Sequence, residues 1–154
     1  MTDSITLAGT HLLTWRRQQL ARGGAAADLD WLIDLAGGVP WTILQRLLLD
    51  PSRTVAMVQS LDVLAELWER HLQENVPLQH LVGLCPWRDL LLETSPAALI
   101  PRQETELLVD LALSQFKAAP PACWADLGTG SGAIAVSLAR TWPTASGHGI
   151  DLSP

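Results

Sequence analysis

Residues 122–151 read ACWADLGTGSGAIAVSLARTWPTASGHGID, and they contain the pattern that is most informative about the fold. The run 122–127 predicts a strand, and the glycine-rich turn Gly128–Gly132 follows it directly. Residues 133–140 have helical periodicity, and 145–150 predict a second strand. The order strand, turn, helix, strand is typical of a parallel βαβ unit. We therefore predict an α/β fold of the doubly wound, Rossmann-like kind.

The turn and the residue after the second strand have the chemistry of an adenosine-cofactor site. Glycines without a Cβ let the backbone approach a ligand, and the following helix directs its free N–H groups into the same space. A carboxylate at the end of the next strand can accept hydrogen bonds from both ribose hydroxyls. The candidate cofactor-binding residues are Asp126, Gly128, Thr129, Gly130, Ser131, Gly132 and Asp151.

Two cofactors fit this pattern. Gly128, Gly130 and Ala133 satisfy the dinucleotide spacing, in which alanine can replace the third glycine. S-adenosylmethionine has no phosphate and needs a backbone cradle for its amino-acid end. Asp126, just before the turn, would repel a pyrophosphate but suits a ligand with an ammonium and a sulfonium. The acid favours S-adenosylmethionine, and the dinucleotide stays open at this point.

The rest of the chain predicts a small helical bundle and a connector. Residues 1–75 contain four short amphipathic helices, the first of which carries Leu7. Residues 76–100 contain several prolines, and we predict a β-hairpin or extended connector there. The incomplete doubly wound domain would then span 101–154.

Two finer predictions concern the connector and the start of the last region. The apolar stretches 78–84 and 87–92 predict the two strands of the hairpin. Residues 103–116 predict a helix, with leucines at core spacing.

Composition excludes several classes of function. The net charge of −6 argues against a broad basic face for nucleic acid. No apolar run reaches the roughly 18 residues that span a membrane. His11 and His71 have no second histidine or carboxylate cluster at metal-ligand spacing, so no metal site is expected. We expect a cytoplasmic protein that binds neither nucleic acid nor membranes.

Three segments carry a family resemblance that covers nearly the whole chain. Ala125–Ala135, ADLGTGSGAIA, resembles motif I of class I methyltransferases. Leu99–Glu106, LIPRQETE, resembles the IPRPETE segment of the HemK-type family, the release-factor glutamine N5-methyltransferases. Pro77–Gly83, PLQHLVG, resembles the lead-in of the same family.

The resemblance implies a reaction and a partner. It implies S-adenosylmethionine-dependent methylation of a glutamine side-chain amide, in the Gly-Gly-Gln sequence of a peptide-chain release factor. Residues 1–75 would dock this protein substrate. Arg102, Glu104, Thr105 and Glu106 would line the reaction pocket or brace it. For Arg102 and Glu106, a helix-start ion pair and capping cluster is an equal alternative.

The sequence also departs from the family pattern. Gln103 stands where the family has proline, and Trp87 stands where phenylalanine is usual. The Asn-Pro-Pro-Tyr motif, whose groups would orient the glutamine nitrogen, does not occur. We therefore expect a C-terminally truncated chain with no catalytic residue of its own and little or no activity alone. The other readings are a fragment of an NAD-dependent oxidoreductase and a non-enzymatic helical binding module.

Overall fold

Apolar side chains form two separate cores, and the chain divides accordingly into two units. The computed structural model describes residues 4–153, so the outermost residues of the first and last predicted regions lie outside the described part. The units are Met1–Val82 and Gly83–Pro154. Helices and strands occur in both units, in agreement with the predicted α/β class, although residues 1–75 were predicted to contain helices alone.

The first unit is mainly helical. Its core is built by fully buried side chains on four helices, among them Leu12, Leu32, Leu44 and Leu64. Burial of these side chains supplies the main stabilisation of such short helices. The elements are β1 (Ile5–Ala8), α1 (Gly9–Arg22), α2 (Ala26–Leu35), α3 (Trp41–Leu49), β2 (Thr54–Met57), α4 (Leu61–Glu74) and α5 (Leu78–Val82).

Helix α4 shows how local signals set helix limits in this unit. The Ser60 side chain accepts a hydrogen bond from the backbone N–H of Val63 and caps the first turn. Asn75 adopts a left-handed conformation and ends the helix. The end at Asn75 agrees with the predicted end of the helical region at residue 75.

Two features of this unit differ from the sequence prediction. Leu7 lies in β1, which pairs antiparallel with β2, and not in the first helix. The predicted strand over 78–84 is also wrong, because Leu78–Val82 is a helix. The Pro77 carbonyl accepts hydrogen bonds from the N–H groups of His80 and Leu81, and proline favours the start of a helix.

The second unit contains a hairpin and a parallel strand pair. Strands β3 (Leu84–Trp87) and β4 (Leu90–Glu93) pair antiparallel, and a single 3₁₀ turn covers Gln103–Thr105. The hairpin therefore begins later than predicted. The remaining elements are α6 (Glu106–Gln115), β5 (Cys123–Leu127), α7 (Ala133–Thr141) and β6 (Ser146–Ile150).

The parallel pair β5–β6 aligns Leu127 with Ile150, so both strands end at the same edge. A separate core containing Trp87, Val109 and Leu138 supports this unit. Parallel strands are normally covered on both faces, yet every residue of β6 is exposed. This exposure fits a part of a larger doubly wound sheet. Within residues 4–153 no helix is long and apolar enough to cross a membrane.

Two leucines on α3 test whether the helical core stabilises the first unit. Leu44 is fully buried and Leu49 is 88% exposed. We expect Leu44→Ala to lower the free energy of unfolding by about 2–5 kcal/mol, because it removes buried methyl groups and leaves a cavity. Leu49→Ala should change it by less than about 0.5 kcal/mol. Urea unfolding followed by circular dichroism measures both, and equal effects would contradict the assigned core.

Candidate cofactor-binding site

The glycine-rich turn is fastened to the end of the neighbouring strand. The N–H groups of Gly128 and Thr129 both donate to the Ile150 carbonyl, at 2.7 and 3.1 Å. The N–H of Gly132 donates to the Thr129 carbonyl at 2.9 Å, and α7 begins at the next residue. The turn and the edge of the sheet therefore form one hydrogen-bonded structure.

The glycines in this turn are required by its backbone conformation. Gly128 and Gly130 have φ angles of 77° and 52°, in the left-handed region that disfavours a side chain. A Cβ placed on either residue would meet no heavy atom within 4 Å. The turn thus presents bare backbone to open space, as a ligand cradle requires.

The Asp151 carboxylate lies against this turn. Its two oxygens accept hydrogen bonds from the backbone N–H groups of Gly130, at 2.7 Å, and Ser153, at 3.0 Å. These bonds, that from Ser153 first, hold the pKa of Asp151 below its ordinary value of 3.8. An ionised carboxylate has about four lone-pair sites, so it keeps capacity for further donors such as hydroxyl groups.

The second acid, Asp126, supports the turn from within. Its carboxylate accepts the Thr129 hydroxyl at 2.8 Å. Asp126 lies outside the lining of the pocket that Asp151 enters. Asp126 therefore supports the turn through the Thr129 hydroxyl and places a negative charge close to the pocket.

A pocket of about 390 Å³ opens at the edge of the strand pair. It brings together three predicted residues, Gly128, Gly130 and Asp151. Thr129, Ser131 and Gly132 belong to the same turn but do not line the pocket. A wall that sequence reasoning missed consists of Ser95, Ala97, Ala98 and Leu99, and Ser153 completes the lining. Leu99 opens the segment LIPRQETE, which was the only available signal for this wall.

Two of the other predicted pocket residues, Arg102 and Glu106, accept hydrogen bonds from side chains at their backbone carbonyls. The Trp87 indole N–H donates to the Arg102 carbonyl at 2.9 Å, and Arg88 donates to the Glu106 carbonyl at 3.2 Å. Tryptophan at position 87 thus makes a hydrogen bond that phenylalanine could not make.

The side chains of this segment stand apart from the pocket. Arg102 and Glu104 are exposed, and Thr105 and Glu106 are half-buried. None of the four lines the pocket beside the turn. Arg102 forms no ion pair with any residue of the described range 4–153, so the ion-pair alternative for Arg102 and Glu106 is not seen. In the same range, no cluster of three or more His, Cys, Asp or Glu could hold a metal.

The link between Gly130 and Asp151 should depend on pH. Because the pKa of Asp151 is lowered, the link is fully present above about pH 3.8 and is lost as pH falls through the lowered pKa. We expect the Gly130 amide resonance to titrate with a midpoint below 3.8. In Asp151→Asn this titration should vanish, and an unaltered titration would contradict the link.

The chain was compared with known proteins. It is 52% identical to the release factor glutamine methyltransferase of Prochlorococcus marinus, over 91% of this chain and 48% of the relative. Identity to the enzymes of the same name from Gloeobacter violaceus and Synechocystis sp. is 43% and 38%, over 90% and 91% of this chain and 48% of each relative. No family model matches. The chain spans about half the length of these curated relatives, and about 90% of its own sequence is similar to proteins named release factor glutamine methyltransferase.

Proposed function

We propose that the chain is the cofactor-binding part of an S-adenosylmethionine-dependent protein-glutamine N5-methyltransferase. Its substrate would be the Gly-Gly-Gln glutamine of a peptide-chain release factor in the cytoplasm. One observation carries the proposal. Gly128, Gly130 and Asp151 line one pocket in a chain that is 52% identical to a release factor glutamine methyltransferase.

The residues present fit this cofactor. The pocket of about 390 Å³ falls within the roughly 300–1,000 Å³ of small-molecule sites. The bare backbone at Gly128 and Gly130 would hold the amino-acid end of the cofactor, and Asp151 would hold its ribose. The free N–H groups at the start of α7 have no side-chain cap, so they are available for a carboxylate.

Asp126 favours a cationic ligand over a dinucleotide. It has no ion-pair partner among residues 4–153, and only the Thr129 hydroxyl binds it. A negative charge here opposes the two charges of a pyrophosphate and attracts the ammonium and sulfonium of S-adenosylmethionine. The family of the relatives supports the same choice.

The reaction needs more than this pocket. When bound, S-adenosylmethionine supplies a methyl group activated by a sulfonium. The amide nitrogen of glutamine is a weak nucleophile because its lone pair is delocalised, so hydrogen bonds must orient it. The Asn-Pro-Pro-Tyr motif of the family does not occur in this sequence, which has no tyrosine at all. We infer that these 154 residues bind the cofactor and do not transfer its methyl group alone.

Calorimetric titration tests the cofactor assignment. We expect S-adenosylhomocysteine to bind the chain and NADH to bind at least tenfold more weakly. Asp151→Ala should weaken S-adenosylhomocysteine binding by about tenfold or more, because hydrogen bonds to a charged group are worth about 1.5–3 kcal/mol. Glu93→Gln, an exposed acid on β4, is the matched control and should bind normally. Preference for NADH would overturn the assignment.

Methyl transfer to a release factor tests the reaction. The 154-residue chain with labelled S-adenosylmethionine should give no transfer above background. A chimera that joins it to the unmatched half of the Prochlorococcus marinus relative should label the glutamine. Transfer by the chain alone would contradict the inferred inactivity. A folded chimera that binds cofactor but labels no glutamine would contradict the proposed substrate.

A further inference from the structure

A second pocket, of about 440 Å³, lies in the helical unit between α2 and α3. The proposed methyl transfer does not use it. Its lining consists of Ala27, Asp30, Trp31, Asp34 and Trp41. Two large aromatic side chains beside carboxylates form an unusual surface, because burial of indole rings away from water is favourable.

The sequence builds this pocket from one face of α2 and the first residue of α3. Ala27, Trp31 and Asp34 recur at helical spacing, and the small Ala27 side chain leaves room beside the indole. Trp41 follows Pro40 and is 56% exposed. In the described chain the rings of Trp31 and Trp41 make no ring contact with each other. Trp31 is half-buried and packs against the helical core, so the exposed Trp41 ring offers the more accessible face.

The pocket has one uncompensated negative charge. Asp30 is nearly buried, and Arg16 binds both of its oxygens, so this acid is neutralised. Asp34 has no ion-pair partner in the range 4–153, and one oxygen accepts the Trp41 backbone N–H at 3.0 Å. The other Asp34 oxygen has no donor among these residues. A cation is therefore the complementary ligand.

We propose that this pocket binds an arginine side chain of a protein partner. A guanidinium is planar, so it can stack on an indole face while its edge donates to a carboxylate. A lysine ammonium is a compact and strongly hydrated charge that matches this combination less well. The argument rests on the helical unit alone and is independent of the proposed methyl transfer.

A neighbouring apolar side chain indicates a polypeptide ligand rather than free arginine. Leu48 lies two helical turns beyond Trp41 on the same face of α3 and is 47% exposed. It extends the apolar surface past the pocket. A partner segment with an apolar residue beside its arginine would cover both features, which a single amino acid could not.

Titration of the ¹⁵N-labelled chain with short peptides tests this pocket. Acetyl-Leu-Arg-Leu-amide should shift the indole N–H resonances of Trp31 and Trp41 saturably. The peptide with neutral citrulline in place of arginine should bind at least about fivefold more weakly, and the affinity of the lysine peptide should be intermediate. Arginine amide alone should bind more weakly than the tripeptide. Equal binding of the citrulline peptide overturns the cation site, and equal binding of arginine amide overturns the protein partner.

Two substitutions complete the test. Asp34→Asn removes the charge but keeps an oxygen for the Trp41 backbone N–H, so the fold should be unaffected. Trp41→Ala removes one wall at an exposed position. Each should weaken the arginine peptide about three- to tenfold, and the exposed acid on α4 gives the control Asp62→Asn, with unchanged affinity. Unchanged binding in both variants, or an equal loss in the control, would refute the site.

Discussion

The Ile150 carbonyl is the point on which the candidate cofactor site depends. It accepts the N–H groups of both Gly128 and Thr129, so the glycine turn cannot move without breaking two hydrogen bonds. Because Asp151 follows Ile150 directly, the hydrogen bonds to the Ile150 carbonyl also hold the backbone of Asp151 beside the turn. The Gly130–Asp151 hydrogen bond then closes the turn onto the acid. A preorganised site of this kind loses less conformational entropy when a ligand binds.

The two acids of the site have different positions, although both were predicted to bind the cofactor. Asp126 accepts a hydroxyl from the turn, and Asp151 lines the pocket. The difference follows from position along the chain, because Asp126 lies inside β5 while Asp151 lies just beyond the end of β6. One carboxylate thus shapes the turn and contributes charge, and the other has oxygens directed at the pocket.

The features that sequence predicted well are local. The strand, turn and helix around Gly128 follow from apolar periodicity and from glycines that must adopt positive φ. The features it missed depend on distant partners. Ile5 pairs with Met57, and no local pattern reveals that pairing. The wall at Ala97 and Ala98 was missed for the same reason, because small residues in an irregular segment carry no periodic signal. The sequence shows tryptophan at position 87 only as a departure from the phenylalanine of the family, because its hydrogen bond to the Arg102 carbonyl joins residues distant in the chain.

We interpret the turn at Gly128–Gly130 and the acid at Asp151 as one cofactor cradle. The most direct test is the ¹H–¹⁵N spectrum of the chain during addition of S-adenosylhomocysteine. The amide resonances of Gly128, Gly130 and Asp151 should shift together and saturate at one concentration, while those of α1–α4 stay unchanged. Shifts confined to other residues, or no saturable shift in a folded chain, would show that these residues do not form a cofactor cradle.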